Sequence, residues 1–484
     1  MNQTAPGNSA SHRRKILIVG GGLAGLATAK ILSQYYGSQV QVTVLEARRS
    51  AGGRVGSFHD SSMNVTVDYC QHVSLGCCVN FLAFIRQCGL ENDWFTTSQL
   101  NFFHSKSGVI PVRPWKWLPA PLHQLPLLWQ LPFLKSTQRY EVQKALLSLA
   151  RLKLDTHSRR WTAEEWLASH GQSGETIRNF WNVFSCSALG DEVRQVSIEA
   201  LRQLFVQGFA SHRDAADLWI PRRPLSEIFG VNLVRHLNSV GVEVRTGESI
   251  LDVRAHDSGC QVMTKNGESL AADHVVCAVP WHAVSRITAG VSELGYLKDA
   301  ASITSSAITG VHLWFDKPLQ INEHLVSVGT VIQWIFKPSH DEVSRFVDDP
   351  IDASKSAHYY QVVISGSQAN ESAGNEALLD QVIKEIQRLI PGGKKARLVH
   401  ARVVTDPRAV FVCHPTLQRP VARTPLPFFH LAGDWIDTGW PATMEGAIIS
   451  AKQAVASISE TEGWSAHDVF VSQPKSWLAK LVLR

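Results

Sequence analysis

Two rhythms of apolar residues alternate along this chain. Ile16 to Val19 form an unbroken apolar run, which predicts a strand buried on both faces of a parallel sheet. Leu23, Leu26, Ala27 and Ile31 follow at helical spacing, so a helix comes next. A second apolar run, VQVTVLEA, predicts another strand and ends at Glu46. Strand-like alternation extends from Val242 to Val279. Strand patterns return in SSAITGVHLWF and HYYQVVIS, with a helix expected from Asn375 to Leu389. Near the end, FFHLAGDWIDTGWPATMEGAIISA reads as strand, loop and helix, the helix opening over Pro441 to Gly446. A strand–helix–strand start with mixed elements later predicts an α/β protein: a Rossmann-type domain joined to a second, mixed α+β domain.

At 484 residues the chain exceeds what one core usually encloses, so two domains are expected. The net charge of +5 is mild, and no basic stripe is interleaved with exposed aromatics, which argues against a nucleic-acid partner. Residues 1–14, MNQTAPGNSASHRR, are polar, lack the apolar stretch of a secretory leader, and are expected to be a disordered tail. No apolar run reaches the roughly 18 residues a membrane-spanning helix needs. A cytoplasmic location is therefore expected.

The stretch VDYCQHVSLGCC, residues 67–78, concentrates three cysteines, a histidine and an aspartate. Adjacent side chains at Cys77 and Cys78 cannot converge as a zinc-type pair, and a partner pair is missing, so no metal is expected. Cys78, Leu82, Ile85 and Cys88 share one face of a helix pattern, and core packing accounts for them.

The first strand runs into Gly20-x-Gly22-x-x-Gly25. In such a turn the first glycine makes the tight bend, the second lets a pyrophosphate approach the backbone, and the third lets helix pack on strand. The helix N-terminus offers free N–H groups to phosphate. Glu46, at the end of the second strand, is placed to accept ribose hydroxyls. A second glycine loop follows directly, Gly52-Gly53-Arg54, adding backbone donors and a bidentate phosphate ligand. At the far end Gly433-Asp434 closes a strand, and Ala442, Thr443 and Met444 open a helix whose N-terminal amides favour negative charge.

These segments resemble the flavoproteins of the amine oxidase and phytoene desaturase superfamily, the glycine–arginine (GR2) type. The resemblance implies FAD, held by Gly20, Gly22, Gly25, Glu46, Gly52, Gly53, Arg54, Gly433, Asp434, Ala442, Thr443 and Met444, with the backbone of Ile250 at the adenine. Within that superfamily, Asp68-Tyr69-Cys70-Gln71-His72 with Gly76, residues 168–205 and DLWIPRRPLSEIF at 217–229 are similar to the squalene-associated desaturases, the hydroxysqualene dehydroxylases. Tyr69-Cys70 departs from their usual Asn-Gly, and Gly190-Asp191 from a frequent asparagine. The resemblance covers most of residues 15–458. It implies an FAD-dependent oxidoreductase that reduces hydroxysqualene to squalene in hopanoid and squalene biosynthesis: an acid protonates the allylic hydroxyl, water leaves, and hydride captures the cation. The acid candidates are His72, Asp68 and Glu445, in that order. For His72 a purely structural role is weighed equally.

Three rivals stand beside this reading. A carotenoid-type desaturase uses the same scaffold. A flavin amine oxidase usually carries a lysine on the strand matching SSAITGVHLWF, and none occurs there. A flavin-bearing lipid-carrier subunit is the non-enzymatic alternative. No second G-x-G-x-x-G offers a nicotinamide domain, so electrons are expected from an external donor that the sequence does not name.

The expected division places 15–109, 206–290 and 426–460 in the FAD domain, and 110–205 with 291–425 in the substrate domain. Residues 461–484 form a C-terminal tail. Segment 109–134, VIPVRPWKWLPAPLHQLPLLWQLPFL, is broken by prolines and cannot be one helix. Its tryptophans, leucines and few cations suit either burial in the substrate domain or peripheral contact with the inner face of a membrane.

Overall fold

The structure, a computed structural model, describes residues 13–256, 259–338, 357–366 and 374–483. The expected N-terminal tail falls almost wholly on residues 1–12, outside the described residues; Arg14 already opens the first strand.

A five-stranded parallel sheet gathers strands from across the chain in the order Glu243–Thr246, Val40–Glu46, Arg14–Val19, His274–Cys277, Phe429–Leu431. Both faces are covered. Ile16, Ile18, Val42 and Val44 share a core with Leu26, Ile448 and Val455 from the helices Leu23–Tyr36 and Met444–Glu462. Leu17, Val19, Leu45, Val275 and Cys277 pack the other way, with Trp281 and Phe411. Double burial explains the unbroken apolar runs in these strands. Of the alternating segment Val242–Val279, only Ile250–His256, Gly259–Thr264 and Ser269–Ala272 form an antiparallel sheet; its first and last strands join the parallel one. The C-terminal helix of this unit begins at Met444, three residues later than the sequence pattern suggests, because Thr443 is the capping residue.

A seven-stranded sheet forms the second layer, in the order Leu398–Phe411, Ser305–Phe315, His358–Ser365, Trp334–Phe336, His324–Ser327, Leu100–His104, Gly108–Val112. Helix Gly374–Leu389 seals one face, sending Leu378, Val382 and Ile386 against Val311, Leu313 and Val362. The hairpin Leu100–Val112 pairs within this sheet through Val326–Phe102 and Ser327–Phe103, so residues 100–109 run with it and not with the parallel sheet. A helical layer adjoins it, its core rich in aromatics such as Phe180, Trp181 and Phe205.

Between the layers lies a small sheet of Ser74–Leu75, Leu218–Pro221 and Trp94–Thr97. Cys77, Cys78 and Cys88 are buried in the first core, around helix Val79–Gln87. Among the described residues no helix is long and apolar enough to cross a membrane. The C-terminal segment is structured: it lies along the surface and ends in helix Trp477–Val482.

Candidate active site

The site is assembled from the ends of the parallel strands. After Val19 the chain turns sharply at Gly20, whose N–H donates to Leu45 O (2.8 Å) and whose φ of +113° disfavours any side chain. A Cβ on Gly25 would lie 2.0 Å from Gly20 O, so only glycine lets the helix sit this close to the turn. Gly22 is different: the nearest atom to a Cβ there is Gly53 Cα, at 4.0 Å, so the backbone has an open face toward any group cradled by the loop. The second glycine loop is stitched to the first, with Gly52 N–H donating to Gly21 O (2.8 Å).

Glu46 is nearly buried at the tip of its strand. Its carboxylate accepts from Gly21 N–H (2.7 Å) and Arg48 N–H (2.8 Å), which fixes its orientation beside the turn. The backbone leading to Ile250 lies alongside: Gly247 N–H donates to Arg48 O (2.8 Å) and Glu248 N–H to Glu46 O (2.9 Å). Ile250 opens its strand there and is buried. Arg54 reaches across to pair with Asp434, donates to Ala409 O (2.8 Å), and lies over the Trp281 ring. Gly433 N–H donates to Ser450 Oγ (2.8 Å), which holds the Asp434 turn against the Met444–Glu462 helix. The structure therefore brings both glycine loops, Glu46, Arg54 and Asp434 around one strand-end crevice. These residues fit a dinucleotide: an open glycine backbone, a carboxylate for a diol, a guanidinium for phosphate, and a helix N-terminus after Ala442 and Thr443.

The three acid candidates separate clearly. Glu445 is fully buried, and both its oxygens are engaged: Oε1 accepts from Asn80 N–H (3.1 Å) and Asn80 Nδ2 (2.8 Å), Oε2 from Phe81 N–H (2.7 Å). Lys452 Nζ donates to Asn80 Oδ1 (2.6 Å) beneath. Glu445 thus caps the N-terminus of helix Val79–Gln87, where an anion is favoured. Both oxygens are thus engaged inside the fold, which suits a structural role for Glu445 better than the acid role expected of it.

Asp68 is also buried, at the end of strand Val65–Asp68. Its Oδ1 accepts from Ser57 Oγ (2.6 Å) and Leu225 N–H (2.8 Å), and Gln361 Nε2 donates to its main-chain oxygen (3.0 Å). Burial pushes its carboxyl up to about 7, against the pull of Ser57 and Leu225. A small cavity of about 10 Å³, room for one water, touches Asp68, Gln71, Tyr359 and Gln361.

His72 lies in the loop between Asp68 and Ser74. Its Nδ1–H donates to Cys70 O (2.9 Å), which leaves Nε2 without a partner among the described residues. Burial, then the charge of Arg54, holds its pKa below the ordinary histidine value. Cys70 and Val73 of the same loop pack into an apolar cluster with Leu218, Ile220, Phe336 and Val363. Ile308 and the stacked pair Trp334–Phe336 border it. The loop approaches the Ser305–Phe315 strand closely: a Cβ on Gly310 would meet Tyr69 O at 2.6 Å.

Sequence reasoning missed Gln361, Tyr359 and His312. The Tyr359 hydroxyl lies 2.8 Å from His312 Nδ1, and burial pushes that imidazole down to about 4. The available signal was a polar residue inside each apolar strand, His312 in SSAITGVHLWF and Gln361 in HYYQVVIS.

A doubly covered parallel sheet, a two-loop dinucleotide crevice at its strand ends and a second sheet walling an apolar cluster define an FAD-dependent oxidoreductase. The chain belongs to the flavin containing amine oxidoreductase family, whose model matches residues 23–459. It is 25% identical over 481 residues to a 15-cis-phytoene desaturase of Arabidopsis thaliana, across 92% of this chain and 80% of the relative. A probable zeta-carotene desaturase of Synechococcus elongatus is 21% identical, covering 93% of this chain and all of that protein. Among solved structures, putrescine oxidase superposes with a TM-score of 0.68 at 14% identity, covering 93% of this chain and 99% of that one.

Proposed function

We propose that this enzyme reductively removes the hydroxyl of hydroxysqualene to give squalene, in isoprenoid (squalene and hopanoid) biosynthesis. The observation that carries the reading is the loop holding Asp68, Gln71 and His72. Its Cys70 and Val73 pack against an apolar cluster that includes Phe336 and Trp334, and its Asp68 and Gln71 border a small cavity beside Gln361. A long hydrocarbon with a single hydroxyl asks for that combination. Relatives named as desaturases of phytoene and zeta-carotene support a lipophilic isoprenoid substrate.

FAD, bound in reduced form by the glycine loops, Glu46, Arg54 and Asp434, would supply a hydride equivalent. The chain's own residues do the rest. The Cys70 carbonyl fixes the His72 ring so that Nε2 holds and hands over a proton. Protonated by it, the substrate hydroxyl departs as water, taking both electrons of the C–O bond. Leu218, Ile220 and Val363 keep bulk water from the allylic cation, and the faces of Trp334 and Phe336 steady it. Asp68, with its raised pKa, is a second proton store behind the loop.

The fold is proposed to divide as 15–99, 206–290 and 426–460 around the cofactor and 100–205 with 291–425 around the substrate, the hairpin Leu100–Val112 counted with its sheet. The exposed Trp115, Trp117 and Trp129 support peripheral membrane contact through residues 109–134.

One rival keeps a specific observation in its favour: 25% identity to a phytoene desaturase in an alignment covering 92% of this chain. Desaturation removes hydrogen and needs oxidised cofactor, so reduced enzyme supplied with each substrate separates the two. Amine oxidation lacks its usual lysine on Ser305–Phe315.

A further inference from the structure

The end of the chain meets the proline-rich segment on one face of the molecule. Residues 464–476 run as a strap over the nucleotide-side helices. Tyr36 Oη donates to Ser465 O (3.0 Å), Val471 N–H to Asn80 Oδ1 (2.8 Å), and Gln473 Nε2 to Cys77 O (2.6 Å). At its end Ser476 N–H donates to Ser211 O (3.2 Å) and Ser476 Oγ to Ala120 O (2.5 Å), inside the proline-rich segment. Ser476 also caps helix Trp477–Val482, accepting from Ala479 N–H (3.0 Å).

That short helix is turned against the usual order of burial. Its small Ala479, with Leu483 beyond, sits in the core beside Leu128, Leu131 and Leu134. Its large residues face out, Trp477 at 70% and Leu481 at 76% exposure, four positions apart and so on one side. The proline-rich segment, joined to the start of this helix through Ala120, exposes Trp117 at 72% and Trp129 at 62%, with Trp115 stacked on Trp117. Charge completes the pattern. Residues 109–140 hold Arg113, Lys116, Lys135 and Arg139, residues 469–483 hold Lys475 and Lys480, and neither stretch contains an aspartate or glutamate. Lys116 is engaged by Asp214 and Asp217 and Lys135 by Glu175, whereas Lys475 and Lys480 form no ion pair among the described residues.

We propose that Trp477 and Leu481, flanked by Lys475 and Lys480, form the second half of a docking face for an anionic lipid bilayer, whose first half is Trp115, Trp117 and Trp129. The inference rests on the membrane reading of residues 109–134. Indole rings suit the headgroup level, leucine the acyl region, and lysines without neighbouring carboxylates suit anionic headgroups. The Ser476–Ala120 hydrogen bond joins the two halves, and Ala479 anchors the helix in the core.

The test is co-sedimentation of the flavin-loaded full chain with phosphatidylglycerol/phosphatidylcholine vesicles and with phosphatidylcholine vesicles alone. Wild type should bind the anionic vesicles more tightly, and lose that preference in high salt. Trp477→Ser with Leu481→Ser should bind roughly tenfold or more weakly, as expected for withdrawing two large apolar side chains, with unchanged flavin absorbance and melting temperature. Trp115→Ser, Trp117→Ser and Trp129→Ser together should weaken it as well. If the triple variant loses binding and the double variant does not, the C-terminal helix is no part of the face and the inference falls, while the reading of 109–134 stands. Wild type that ignores both vesicles overturns both membrane readings without touching the dehydroxylase assignment, which product analysis decides. A double variant that dissolves a dimer in light scattering, with no vesicle binding lost, makes the face a self-association surface and overturns the inference.

Discussion

Arg54 and Asp434 stand at opposite ends of the sequence and meet as an ion pair over the strand-end crevice, the aspartate almost fully buried. One belongs to the second glycine loop, the other to the turn that follows the edge strand Phe429–Leu431 of the parallel sheet. The pair therefore clamps together the two segments proposed to cradle the cofactor. Arg54→Ala should leave a buried carboxylate without its cation, costing roughly 1–3 kcal/mol of stability, and should lower the flavin bound per chain. Arg54→Lys keeps the charge but not the fork that reaches Ala409 O and Asp434 together, so its flavin content should fall between. Absorbance per chain after gel filtration reads this directly; full flavin retention by Arg54→Ala would remove Arg54 from the cofactor site.

Glu445 is expected to matter for folding and not for chemistry. Glu445→Gln replaces an acceptor-only group with one that brings two donors against Asn80 and Phe81, and it strips Lys452 of a nearby anion. A loss of about 1–3 kcal/mol in denaturant unfolding should result. Turnover per bound flavin should stay within about twofold of wild type, far from the 10²-fold or larger deficit of a missing general acid.

Asp68 makes stability depend on pH. Its folded-state pKa lies near 7, above the ordinary carboxyl value of 3.8. The folded state thus binds the proton more tightly, and the stability this contributes is complete below the ordinary value and is lost as pH rises through about 7. Asp68→Asn cannot ionise. Its melting temperature relative to wild type should therefore rise between about pH 4 and about pH 7 and level off above. A difference that stays flat across that window would mean Asp68 is ionised throughout.

The pH–rate profile separates the two remaining acids. With His72 as the donor, the rate should fall as pH rises through a value below that of a free imidazole, since burial and Arg54 both oppose its charge. His72→Ala should keep flavin absorbance and melting temperature and lose roughly 10²-fold in kcat. If Asp68 donates instead, the fall should centre near 7 and vanish in Asp68→Asn, with His72→Ala nearly as fast as wild type.

What the sequence made legible is what is local. The glycine turn, the helix after it and the strand ending in Glu46 fall within a few dozen residues, and double burial left an unbroken apolar signature. The closing Gly433-Asp434 turn was readable for the same reason. Relations across the chain were not. Glu445 looked available because its partners, Asn80 and Phe81, lie in a stretch dominated by cysteines and phenylalanines far away. The C-terminal strap has no periodicity to betray it, being held by single side-chain bonds such as Gln473 to Cys77 O. Gln361 and His312 sit in strands whose apolar neighbours set the pattern, and only the fold brings them to Asp68.

Reductive loss of a hydroxyl is decided by a single incubation. The flavin-loaded protein, reduced anaerobically, is given hydroxysqualene in one vessel and phytoene in another, and an oxidised sample receives the same pair. Squalene is expected from the reduced enzyme with hydroxysqualene, formed as the flavin absorbance returns, and no desaturated product from phytoene in either redox state. Unchanged hydroxysqualene together with desaturated phytoene from the oxidised enzyme would contradict it and establish the desaturase reading in its place.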